Sequence, residues 1–77
     1  MFPADWLVRQ ISVQQAEDHE EMLGLNGWNT LKAAIQTGDE IWIFCSPPET
    51  WEALMGRRGI VLLREGKEIA EVVTVMN

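Results

Sequence analysis

Residues 60–76 read IVLLREGKEIAEVVTVM, and this stretch decides the fold class. Apolar and β-branched residues dominate Ile60 to Arg64 and again Ile69 to Met76, and such runs favour β-strands. Between the two runs, Glu65-Gly66-Lys67 has the glycine and the polar residues of a short hairpin loop. The sequence therefore predicts that this stretch forms a β-hairpin.

A third β-rich run, residues 40–45 (EIWIFC), leads directly into Ser46-Pro47-Pro48-Glu49. This motif is typical of a helix start. Ser46 is predicted to be the N-cap, accepting a hydrogen bond from the amide three residues on, while Glu49 returns the bond. The two prolines suit the first turn, where no intrahelical donor is needed. We expect Gly56 to end this helix and its buried stripe to be Trp51, Leu54 and Met55.

The N-terminal part of the chain predicts a strand followed by a helix. Residues 6–11 carry β-forming residues with apolar and polar side chains in alternation, which indicates a short strand. A helical turn after Pro3 is the alternative for this segment. Ser12 and Gln15 have the spacing of a capping box, and they predict a helix over residues 13–23.

A second short helix is predicted after a turn at Asn26-Gly27. It ends at Thr37-Gly38-Asp39, where glycine tolerates the left-handed conformation. Its apolar face consists of Leu31, Ala34 and Ile35. The full order is β-α-α-β-α-β-β, which predicts a single α+β domain over residues 1–77 with a mainly antiparallel sheet and short helices.

The predicted strands are apolar on both faces. In residues 40–45 the isoleucines and the cysteine point one way, and the two aromatic residues point the other way. A sheet with one solvated face would alternate apolar and polar side chains. Three short helices in a chain of 77 residues cover one face well and the other only in part. The pattern predicts that a second subunit covers the remainder, so we expect a homodimer.

The chain is acidic, with a formal net charge of −6 from 12 Asp and Glu against 6 Lys and Arg. Phosphate binding needs a clustered positive footprint, and the basic residues here are scattered apart from Arg57-Arg58, so direct nucleic-acid binding is not expected. The charge fits solubility or a basic protein partner. An inhibitor that mimics nucleic acid is a further alternative, but the carboxylates are spread from Asp5 to Glu71.

The sequence also favours one compartment. A lone cysteine cannot form a disulfide within the chain, which fits a reducing cytoplasm. The N-terminal residues lack the basic region of a signal peptide, and no apolar run approaches the ~18 residues of a membrane span. We therefore expect a cytoplasmic protein without membrane contact.

Cys45 is the only cysteine and stands directly before the predicted N-cap. A thiol at a helix N-terminus is activated by the unsatisfied amides and the helix dipole, which would suit a small thiol-dependent enzyme or redox factor. Cys45 also shares a strand face with Ile41 and Ile43, and free cysteine behaves as a small buried hydrophobe. The sequence favours this structural role.

The acidic run Glu17-Asp18-His19-Glu20-Glu21 raises the possibility of a metal site. On a helix Glu17, Glu20 and Glu21 fall close together while His19 points elsewhere, and zinc sites recruit several histidines. The interpretation that we favour is a solvated face that offers contacts to a basic partner. We expect no metal and no cofactor.

Four tryptophans in a chain of this length are candidates for packing or for recognition. Trp42 and Trp51 are expected in the core, whereas Trp6 and Trp28 are candidate partner contacts because tryptophan is enriched in binding hot spots. Arg57 and Arg58 form a corner that could bind an anion or complement the end of the preceding helix. These two arginines are also candidate partner contacts.

The sequence contains no glycine-rich phosphate loop and no nucleophile elbow. One histidine and no tyrosine leave few groups suited to proton transfer near neutral pH. The resulting hypothesis is a non-enzymatic cytoplasmic protein that acts through protein–protein contacts, either as a regulatory accessory protein or as an antitoxin-like partner of a basic protein.

Overall fold

The computed structural model describes residues 3–18 and 26–76, which form one antiparallel sheet, three short α-helices and a 3-10 turn. The elements in chain order are the 3-10 turn Ala4–Trp6, β1 Leu7–Ile11, α1 Val13–Glu17, α2 Asn26–Ala34, β2 Glu40–Cys45, α3 Pro48–Glu52, β3 Arg57–Arg64 and β4 Lys67–Met76. The strand order is β1-β2-β3-β4, so each strand pairs with its neighbour in sequence. The predicted α+β class and element order are confirmed. No helix in the described part of the chain has the length and apolar character needed to cross a membrane.

Helices α1 and α2 cover one face of the sheet. Ala16 of α1 and Leu31 of α2 are fully buried against this face, together with Trp28 at 5% exposure. The strands contribute Ile11, Ile41, Ile60, Leu62 and Val72 to the same cluster. The predicted apolar face of α2 is therefore confirmed. Trp28, a candidate partner contact from the sequence, instead lies in the main core, because α2 turns this side chain toward the sheet.

The opposite face of the sheet holds a second, smaller cluster. Phe44 and Val61 are fully buried there and Leu63 is 5% exposed. The side chains that cover these three are the half-buried Trp6, Leu7, Trp42 and Val73. Large side chains of the 3-10 turn and the strands thus take the place of a helix layer, which the strand pattern alone does not predict.

The capping box predicted at the start of the first helix is confirmed. The Ser12 hydroxyl accepts from the Gln15 amide at 3.1 Å and the Gln15 side chain accepts from the Ser12 amide at 2.8 Å. The predicted strand is confirmed as β1 over Leu7–Ile11, and the helical alternative is limited to the 3-10 turn Ala4–Trp6 that precedes it. Asn26 and Gly27 begin α2 instead of forming a turn. The predicted extension of the first helix to residue 23 lies outside the described residues.

A partly buried ion pair ties the turn after α2 to the end of β3. Arg64 donates from Nε and Nη2 to the two carboxylate oxygens of Asp39 at 2.9 and 2.8 Å, and Nη2 also donates to the Ala34 carbonyl at 3.0 Å. The Asp39 side chain is 1% exposed and also accepts from the Gln36 amide. Hydrogen bonds from Arg64 are the main reason that the pKa of Asp39 lies below its ordinary value of 3.8, although burial of the carboxyl opposes them.

Asp39→Asn is expected to destabilise the fold near neutral pH and to have a smaller effect in acid. The folded-state pKa of Asp39 is lowered, so its contribution is complete above the unfolded-state pKa and is lost as the pH falls through the folded-state value. Urea unfolding at about pH 7 and about pH 3 should therefore show the parent and the variant converging at the lower pH.

Glu17→Gln is the matched control, because its pair with Lys32 is exposed at 36% and 48%. Its effect should stay within about 0.5 kcal/mol. An equal loss for Asp39→Asn at both pH values would show that the ionised carboxylate is not what stabilises this corner.

Strand β3 begins three residues earlier than the sequence predicts. Arg57 and Arg58 pair with Met76 and Val75 of β4, so the predicted corner at 56–59 is largely strand. Local composition favours a turn here, but pairing with the end of β4 extends the strand.

Both edge strands of the sheet carry register shifts, one in β1 and two in β4. Such bulges disfavour pairing of these edges with a further strand.

Candidate functional site

The segment after β2 does not begin with the predicted serine cap. Helix α3 has Pro47 as its N-cap and no side-chain hydrogen bond caps it, so of the two prolines only Pro48 occupies a first-turn position. Ser46 is buried at 3% exposure, and its hydroxyl accepts from the Arg57 amide at 2.8 Å. The Ser46 amide donates in turn to the Arg57 carbonyl at 2.8 Å. Ser46 therefore joins the end of β2 to the start of β3.

A small hydrogen-bond network extends from Ser46 into α3. Thr50 Oγ1 lies 2.6 Å from both the Ser46 hydroxyl and the Pro47 carbonyl oxygen, while Trp51 Nε1 donates to the Ser46 carbonyl at 3.1 Å. The Trp51 ring lies over Gly56, where an added Cβ would stand 2.2 Å from a ring atom. Only glycine fits beneath this ring, which fixes the course of the chain between α3 and β3.

Helix α3 ends in a Schellman motif with leucine in the position that glycine usually occupies. The Leu54 amide donates to the Trp51 carbonyl at 3.2 Å, and the Met55 amide donates to the Thr50 carbonyl at 2.7 Å. Leu54 has φ 61°, a left-handed conformation that costs a non-glycine residue about 1–2 kcal/mol. The predicted burial of Leu54 and Met55 is wrong, because the helix ends at Glu52 and both side chains then point to solvent.

These two residues form the wall of an apolar groove. Leu54 is 72% exposed, Met55 is 71% exposed, and Met76 at the end of β4 is 71% exposed. The recess beside them has a volume of about 380 Å³. The residues that line it, here called the groove, are Trp6, Thr50, Leu54, Met55, Gly56, Arg57 and Met76. Three elements that are distant in sequence therefore converge on one apolar surface.

Arg57 is the one charged residue among the described residues that line the groove. Its guanidinium lies over the Trp6 ring at 5.3 Å from the centroid and 3.6 Å from a Glu71 carboxylate oxygen. Arg58 is exposed and follows Arg57 in a strand, so neighbouring side chains point to opposite faces. The structure does not bring the two arginines together as an anion site, and neither caps the end of α3.

The candidate thiol lies at the end of β2. Cys45 is half-buried, and its Sγ is 3.5 Å from the Ser46 carbonyl oxygen, at which it is a weak donor. In the sheet Cys45 pairs with Arg58 of β3.

Trp42, which the sequence placed in the core along with Trp51, is half-buried. Its Nε1 donates to a Glu40 carboxylate oxygen at 2.9 Å.

The acidic run is only partly described. Glu17 forms an ion pair of 2.6 Å with Lys32, which links α1 to α2 across the sheet face. His19, Glu20 and Glu21 lie outside the described residues. Within residues 3–18 and 26–76, no three His, Cys, Asp or Glu side chains come together as they would around a metal ion.

Sequence reasoning identified Trp6 and Arg57 of this groove but missed Leu54, Met55 and Met76. The motif around α3 offered no signal, because leucine and methionine favour helices and a glycine stands at residue 56, where a helix would be expected to stop. No family model, curated protein or solved structure matches this chain.

Proposed function

We propose that this protein is non-enzymatic and acts through protein–protein contacts, as a homodimer whose contact surface is the groove. The observation that supports this most directly is Leu54, which has φ 61° and is 72% exposed. The left-handed backbone at Leu54 completes the end of α3, but it also directs a large apolar side chain into solvent, where the isolated chain does not bury it. Outliers of this kind cluster at functional sites, where another interaction offsets the strain.

The surroundings of Leu54 support the same proposal. Contiguous exposed apolar side chains can mark interaction sites on soluble proteins, and Leu54, Met55 and Met76 are each 71–72% exposed beside one recess. Tryptophan, methionine and arginine are enriched in protein interfaces, and Trp6, Met76 and Arg57 all line the groove. The bulged edges of the sheet make strand addition a poorer route to association than this surface.

The proposed setting is the cytoplasm, and the proposed role is that of a regulatory accessory protein or an antitoxin-like partner. The net charge of −6 fits a basic protein as a further partner on surfaces that a dimer would leave open. Glu17, Glu20 and Glu21 are the candidate contacts for such a partner. The groove and this acidic run would then serve two different contacts.

The first experiment measures the oligomeric state. Light scattering after size exclusion should give twice the monomer mass of 8.8 kDa at micromolar concentration, with dissociation on dilution. A single species of monomer mass over the whole accessible concentration range would contradict the homodimer.

A further inference from the structure

We infer that the proposed homodimer is a two-fold pair in which Leu54 and Met55 of each copy pack into the groove of the other copy. This inference rests on the proposed function and assigns the residues that carry it. In this pair Leu54 is an interface residue, and the left-handed backbone that completes the end of α3 also directs its side chain toward the other copy.

A two-fold interface requires one patch that is complementary to itself. The groove surface meets this requirement because a protruding pair and a recess lie side by side. Leu54 and Met55 project at 72% and 71% exposure, and the adjoining recess of about 380 Å³ is bounded by Trp6, Gly56 and Met76. When one copy is rotated by half a turn, its protruding pair faces the recess of the other, and the contact closes at two subunits.

The charge of the groove favours a second copy over a basic segment of another protein. Of the seven described residues that line it, none is a carboxylate, so a lysine or arginine entering the groove would meet no opposite charge there. Arg57 already has Glu71 and the Trp6 ring as partners. Two copies can therefore meet at this surface without burying an unpaired charge, even though each chain has a net charge of −6.

The side chains of the groove also suit a contact that must fit its own copy. Methionine is unbranched and flexible, so Met55 and Met76 can adjust to an opposing surface of the same composition. Trp6 is held in place by Arg57 and provides a rigid wall. The flexible side chains and the rigid ring together form one contiguous apolar contact.

Two substitutions of Leu54 separate binding from folding. Leu54→Gly and Leu54→Asn both remove the apolar side chain and both tolerate the left-handed conformation. We expect each to raise the dimer dissociation constant at least tenfold, measured by sedimentation equilibrium, while the urea midpoint of the dilute monomer stays equal or rises. Ile69→Thr is the control, because Ile69 is 41% exposed on β4 but does not line the groove.

Further readouts identify the occupant. The methyl resonances of Met55 and Met76 should shift as the parent protein is diluted. Added salt should leave dimerisation unchanged or strengthen it, because screening weakens repulsion between two acidic chains.

If the parent protein is a dimer and both Leu54 variants have the same dissociation constant as Ile69→Thr, this inference is overturned and the homodimer uses another surface. A monomeric parent would overturn both. A monomeric parent whose Met55 and Met76 resonances shift only on addition of a basic amphipathic peptide would assign the groove to a foreign partner instead.

Discussion

Replacement of Gly59 by alanine is expected to lower the free energy of unfolding by about 3 kcal/mol or more. Gly59 lies in β3 at a register shift, and an added Cβ would stand 1.9 Å from the Val72 carbonyl oxygen and 2.9 Å from its carbonyl carbon. Both are backbone atoms of the paired strand, so no side-chain rotation relieves the clash. Strands β3 and β4 must separate locally, which disrupts the largest pairing in the sheet.

Gly27→Ala is the matched control for this prediction. An added Cβ at Gly27 would also meet Val72, but at 3.5 Å from its side chain, an ordinary contact. Gly27 lies in α2, where alanine is preferred over glycine, so this variant should gain up to about 1 kcal/mol. Urea unfolding monitored by circular dichroism measures both variants, and the comparison requires a constant unfolding slope. A loss below about 1 kcal/mol for Gly59→Ala would show that β3 and β4 do not approach so closely there.

The sequence predicts the elements of this fold where the signal is local. The β-branched runs of β3 and β4 and the Ser12–Gln15 capping box all act within a few residues, and the structure contains each of them. The start of β3 was missed because Arg57 and Arg58 have no strand signal of their own. They are strand residues because Met76 and Val75 lie opposite them, and this pairing depends on the whole sheet.

The candidate site was harder to predict because it depends on contacts that are distant in sequence. The groove brings the turn before β1, the end of α3 and the end of β4 together, and no local pattern connects these segments. Leu54 is the clearest case. A leucine two residues before a glycine favours a helix, and nothing in its neighbours indicates that it takes the left-handed position at the helix end.

Ser46 shows how a complete local motif can serve a different purpose. Ser-Pro-Pro-Glu satisfies every local requirement of a serine-capped helix, but its hydroxyl is taken by the Arg57 amide, 11 residues further along the chain. The closure of β2 against β3 places that amide next to the serine. The part-buried Arg57 amide lies between two strands and depends on the serine oxygen as its acceptor. The amides in the first turn of the five-residue helix α3 have no side-chain cap.

Ser46→Ala is therefore expected to cost about 1–3 kcal/mol, since the part-buried Arg57 amide loses its acceptor. Ser46→Asp should be at least as destabilising. A capping position accepts aspartate without loss. At Ser46, which is 3% exposed, the substitution would instead bury a larger, charged group.

Glu49→Gln is the control, because Glu49 is exposed and α3 has no capping box, so its effect should stay within about 0.5 kcal/mol. If Ser46→Asp proved neutral while Glu49→Gln was costly in the same urea unfolding experiments, the serine would be the helix cap after all. The expected order, with both serine variants well below Glu49→Gln in stability, assigns the hydroxyl to the junction of β2 and β3.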